Sequence, residues 1–165
     1  MKSPPPVFRP SVPGHGAPGG GSEEPVVPSG FSACGLDGHL QNAGQARKFA
    51  ARTLDQWALP SLAANVELIV SELVTNAVRH ALPPVPPHTA EYPVWLGLFR
   101  YNRHLVCAVT DPSPAPPRRR RPDPCSVGGR GLMLISTLSD SWSWRLTPPQ
   151  GKTVWATLPL PPTGS

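Results

Sequence analysis

Glu67-Leu-Ile-Val-Ser-Glu72-Leu-Val-Thr-Asn76-Ala-Val-Arg-His80-Ala81 is the stretch around which this chain is organised. Wound as an α-helix, it sets Glu72, Asn76 and His80 at four-residue steps along one stripe. Leu62, Val66, Ile69, Leu73, Val74, Ala77 and Val78 form a broad apolar face beside that stripe, which predicts a helix docked on a core. A Glu and an Asn one turn apart serve no packing purpose there. Asn is a poor helix former, and a half-buried carboxylate needs a partner. The pair makes chemical sense facing a ligand, the carboxylate to orient water or take a proton and the amide oxygen to bind a hard cation. The alternative, on the helix alone, is a solvated polar face ending in a histidine at the negative end of the helix dipole.

At 165 residues the chain has room for one main core. Its 25 prolines are unevenly placed, crowding the N-terminus, Pro83 to Pro87, Pro112 to Pro124 and the last positions. The net charge of +5 is modest, and four positive residues sit in the single run Arg118 to Arg121. That is a local feature rather than a basic surface. The three cysteines, Cys34, Cys107 and Cys125, form no CxxC pair, and none of the five histidines belongs to an HExxH, so neither zinc pattern is present. No signal-peptide core follows Met1, and no apolar run is expected to reach the roughly 18 residues of a membrane span. A cytoplasmic protein with reduced thiols is the expectation.

In chain order, residues 1–29 read as a disordered Pro/Gly-rich leader, and residues 30–161 as one domain. Gly30 to Leu36 predicts a short edge strand, and His39 to Trp57 a helix with Ala43, Ala46, Phe49, Ala50, Leu54 and Trp57 near one face. Pro60 opens the helix of the quoted stretch, which runs to about His80 and ends before Pro83. Tyr92 to Arg100 and Leu105 to Thr110 form a hairpin. A Pro/Arg-rich loop, residues 111–127, follows, then a short helix from Leu132 to Leu138. Asp140 to Leu146 and Lys152 to Leu160 are the last strands. Helices and strands are grouped rather than alternating. That predicts an α+β, two-layer sandwich with helices on one face of a mixed, mostly antiparallel sheet.

The loop is long for a compact domain, as binding lids are. Two chemically useful devices bracket it. Asp111 closes a strand, where its carboxylate can accept a hydrogen bond from an exocyclic amine such as that of adenine. Gly129-Arg130-Gly131 precedes a helix, so bare amides and the positive helix end can meet a phosphate, with Arg130 as a charged clamp. Taken singly, each is also an ordinary turn: Asp before Pro, or glycines before a helix.

Together these motifs resemble the histidine-kinase-like ATPase (GHKL, Bergerat-fold) superfamily, and most closely its small anti-sigma-factor serine/threonine kinases and their actinobacterial relatives. The resemblance spans about Phe31 to Leu160. Glu72-Leu-Val-Thr-Asn76-Ala-Val-Arg-His80 is similar to the N-box, which implies Asn76 as a Mg²⁺ ligand, Glu72 as general base and His80 near the phosphates. Asp111-Pro-Ser-Pro-Ala115 falls at the G1 box, implying Asp111 as the adenine-reading carboxylate. Gly129-Arg130-Gly131-Leu132 is similar to the G2 box over the phosphates, and Thr153 falls where the family places a Thr near the adenine-site Asp. Ser113 and Ala115 depart from the pattern, standing where G1 glycines are usual.

The resemblance implies ATP and Mg²⁺ as cofactors, phosphoryl transfer to a protein, a sigma factor or anti-sigma antagonist as partner, and a homodimer as one possible assembly. Two other functions stay open. One is an ATP-sensing module that binds a protein without phosphorylating it. The other is a nucleic-acid binder using Arg118 to Arg121, a run without the interleaved aromatics that stack bases. Gly151-Lys152-Thr153 imitates the end of a Walker A loop, but Leu146 occupies the position of its first glycine and a strand follows.

Overall fold

The structure is a computed structural model and describes residues 27–82, 93–117, 131–148 and 151–163. Residues 1–26 of the expected leader, the Pro83 to Pro87 loop, most of the expected lid with Arg118 to Arg121, and Gly129 and Arg130 lie outside the described residues.

Strand β1 (Gly30–Leu36) leads into α1 (Asn42–Gln56). A 3-10 turn at Pro60–Leu62 opens α2 (Ala63–His80). Then come β2 (Val94–Arg100), β3 (His104–Asp111), α3 (Gly131–Leu138), β4 (Ser141–Leu146) and β5 (Lys152–Pro159). The five strands form one sheet in the order β1-β2-β3-β5-β4. Every pair is antiparallel, so the mixed, mostly antiparallel sheet of the expectation is antiparallel throughout. β2–β3 and β4–β5 are hairpins, which are antiparallel by construction. The longer connection through α1 and α2 also returns the chain antiparallel, whereas the lid and α3 bring β4 back parallel to β3, one strand position away. The chain leaves β3 for the far edge, and β5 then fills the gap between β3 and β4.

All three helices pack on one face. α2 lies across β3, touching β2 and β5 as well, with α1 and α3 on either side of it. Val66, Ile69, Val70, Leu73, Val74 and Ala77 of α2 are buried against Leu96, Leu98, Leu105, Cys107, Val109 and Val154 of the sheet. Strand alternation puts Phe99, Tyr101, Val106, Ala108 and Trp155 on the opposite face as a smaller cluster. Pro60–His80 does reach the length and mean hydropathy, 1.2, of a membrane span, contrary to the sequence expectation. Its most apolar residues are those buried on the sheet, as in the core helix of a globular domain.

α1 begins three residues later than the periodicity predicts. Asn42 is fully buried and closes the preceding turn: it accepts from the Gly38 amide at 2.8 Å and donates to Asp37 at 2.9 Å and Gln45 at 2.6 Å. The carboxylate hydrogen bonds from Asn42 and His39 hold Asp37 below the ordinary aspartate value of 3.8.

Candidate functional site

α2, β3, β5, α3 and the first lid residues enclose a cavity of about 430 Å³, within the range of small-molecule sites. Asn76 and His80 come from α2, Val109 and Asp111 from β3, Lys152 and Val154 from β5, Leu132 from α3, and Ala115, Pro116 and Pro117 from the lid. Apolar walls thus surround a few polar groups.

Of the helical stripe, Asn76 and His80 line the cavity while Glu72 stands beside it, against α3. At Gly131 an added Cβ would lie 2.7 Å from Glu72 Oε2 and 3.4 Å from the Asn76 side-chain amide. With no Cβ, Gly131 lets the start of α3 approach the Glu72-Asn76 turn while Glu72 keeps this position. Leu132, next in α3, is buried and faces the cavity. The expected contributions of Gly129 and Arg130 fall outside the described residues.

Asp111 is the last residue of β3 and is only 4 % exposed. Its register partner across the β3–β5 ladder is Lys152, 6 % exposed. Lys152 Nζ stands 3.0 Å from both carboxylate oxygens and donates to the Ser113 carbonyl at 3.2 Å. The Ser113 amide donates to Asp111 Oδ1 at 2.9 Å. Burial pushes the Asp111 carboxyl up from its ordinary value, and the Lys152 ammonium and the Ser113 amide pull it part of the way back. No sequence motif identified this lysine. The Walker-like string containing it belongs to a strand, and its partner is a carboxylate rather than a phosphate.

Ser113 shows how the lid turns without G1 glycines. Its amide closes a turn on Asp111, and its hydroxyl accepts from the Ala115 amide at 3.2 Å, so side-chain oxygens direct the backbone. Ala115 then reaches the cavity wall. Gly151 supplies the other tight approach. Its φ of +139° and the nearness of the Asp111 carbonyl leave no room for a Cβ.

Thr153 lies elsewhere. Lys152 and Val154 point to the helices, so strand alternation turns Thr153 to the opposite face. There it is fully buried and shares hydrogen bonds of 2.8 Å with Thr110 and Thr147. It does not line the cavity.

No group of three or more His, Cys, Asp or Glu able to hold a metal occurs among the described residues. The donor set therefore does not form an all-protein cage. A single amide oxygen, that of Asn76, fits Mg²⁺, which commonly takes one or two protein oxygens and completes its shell with phosphates and water.

Residues 37–158 match the family described as histidine kinase-like ATPase domain. The chain belongs to this family, and ATP is accordingly the ligand implied for the cavity between α2 and β3. Comparison with curated proteins returns no match.

Proposed function

We propose that this protein is a cytoplasmic ATP-binding regulator that transfers the γ-phosphoryl group of ATP to a serine or threonine hydroxyl of a protein partner, a sigma factor or its anti-sigma antagonist. The observation that carries the reading is that Asn76 and Asp111, from different elements, face one cavity of nucleotide size. Asp111 accepts from the adenine amine at the β3 end. Asn76 would hold Mg²⁺ through its side-chain oxygen, and the ion, when bound, would supply charge neutralisation for phosphoryl transfer. His80, at the last turn of α2, extends the same wall. Glu72 takes the proton of the attacking hydroxyl, the new P–O bond forms on that oxygen, and ADP leaves. Catalysis here is positioning and electrostatics, so cavity walls and lid carry most of it. A homodimer is one assembly in which this domain would act.

One observation favours a second reading, an ATP-sensing module without transfer: Glu72 packs against Gly131 rather than lining the cavity. Glu72→Ala separates the two. Retention of partners from native cytosol in the presence of ATP, followed by phosphosite mapping, supplies the acceptor. With that acceptor and labelled ATP, the kinase reading expects transfer by the native protein and none by the variant, with ATP binding kept. No transfer by the native protein to any retained partner would leave the sensing module.

A further inference from the structure

We propose that Lys152 is a positioning residue that fixes Asp111 as a hydrogen-bond acceptor and so makes the cavity select a base carrying an exocyclic amine. The proposal deepens the nucleotide reading above and rests on it.

Lys152 Nζ lies 3.0 Å from each Asp111 carboxylate oxygen and 3.2 Å from the Ser113 carbonyl. Two hydrogen bonds, to Asp111 Oδ1 and the Ser113 carbonyl, and the ion-pair contact to Oδ2 hold the ammonium on these groups. Lys152 therefore acts through Asp111. A carboxylate offers about four acceptor positions. The Ser113 amide and Lys152 occupy two on Oδ1, while Oδ2 has only the ion-pair contact with Lys152. Oδ2 thus keeps acceptor capacity at a cavity that Asp111 lines together with the apolar Val109 and Val154. An amine hydrogen satisfies it, whereas a carbonyl oxygen in that place meets a lone pair.

Without Lys152 the balance reverses. Asp111 is almost fully buried, and an isolated carboxylate among apolar side chains takes up a proton rather than stay charged. The acid then presents an O–H, which suits a carbonyl. Hydrogen-bond polarity, and with it base choice, thus depends on a residue that does not touch the base. Of the described residues lining the cavity, the only other titratable one is His80 on α2, which is unchanged in all the proteins compared below.

The test uses the full chain with Mg²⁺ and compares ATP with inosine triphosphate, whose carbonyl replaces the amine. Dissociation constants are measured from about pH 6 to about pH 9 for the native protein, Lys152→Met and Lys152→Arg, with far-UV circular dichroism as a fold check. The native protein and Lys152→Arg should prefer ATP by roughly tenfold or more, with little pH dependence. Lys152→Met should lose or reverse that preference at the acid end and regain it as Asp111 ionises. A folded Lys152→Met that keeps the native ATP-to-inosine-triphosphate ratio throughout overturns the proposal.

If Lys152→Met does not fold, Lys152→Gln, which keeps a hydrogen-bond donor beside Asp111 but removes the charge, takes its place. Loss of the preference toward the acid end supports the proposal, and the native ratio throughout overturns it. Binding of neither nucleotide by the native protein would overturn the underlying nucleotide reading, a result distinct from a native protein that binds both equally.

Discussion

Gly131 and Glu72 share one space: a Cβ on the glycine would lie 2.7 Å from the Glu72 carboxylate oxygen. The nearest atom is the far end of a flexible side chain, so Glu72 can yield without backbone movement. Gly131→Ala is therefore predicted to change stability by less than about 1 kcal/mol while lowering phosphoryl transfer by about tenfold or more through the displaced carboxylate. Urea denaturation and single-turnover transfer to the partner measure the two effects separately.

The Asp111–Lys152 pair predicts a sharply non-additive cycle. Asp111→Asn alone leaves a buried ammonium without its counter-charge and should cost about 3–5 kcal/mol. Removing both charges in Asp111→Asn/Lys152→Met should bring the protein back to within about 2 kcal/mol of the native chain, because the uncompensated charge is gone. Urea midpoints of the native, single and double variants close the cycle.

The two shifted aspartates act oppositely on either side of the ordinary value of 3.8. Asp111 has a raised folded value, so its contribution is fully present below 3.8 and is lost as pH rises through that raised value. Asp37 has a lowered folded value, so its contribution is present above 3.8 and is lost as pH falls through that lowered value. Asp37→Asn should flatten the acid limb of the stability curve below 3.8, and Asp111→Asn/Lys152→Met the limb above it. Chemical denaturation across the acid range reads both.

Ala58 closes the end of α1 with a left-handed φ of 54°. Its amide donates to the Asp55 carbonyl at 3.1 Å, and that of Leu59 to the Leu54 carbonyl at 2.8 Å, the pattern of a glycine-type helix end. Ala58→Gly should stabilise by about 1 kcal/mol, raising Tm by roughly 2–4 °C, and leave nucleotide affinity unchanged. Differential scanning calorimetry checks the first expectation and isothermal titration the second.

Local patterns carried the elements and not their neighbours. Gly30–Leu36 occurs as an edge strand with the bounds its composition suggests, and the four-residue spacing along α2 brings Asn76 and His80 to one wall. The order β3-β5-β4 is a long-range outcome that no periodicity encodes. Lys152 consequently meets Asp111 from 41 residues away, unforeseen. Thr153 shows the other limit. Sequence places it beside the Asp111 partner, but side chains alternate along a strand, and a step of one residue moves its hydroxyl to the far face. Asn42 delays α1 because its amide closes a turn that the apolar pattern does not register.

That a nucleotide is held between Asn76 and Asp111 is tested by isothermal titration of ATP with and without Mg²⁺. Binding to the native protein should strengthen with Mg²⁺. Asn76→Ala should abolish that Mg²⁺ dependence, and Asp111→Ala should weaken binding by about tenfold or more under both conditions. No binding by the native protein, or binding that ignores both substitutions, would contradict it.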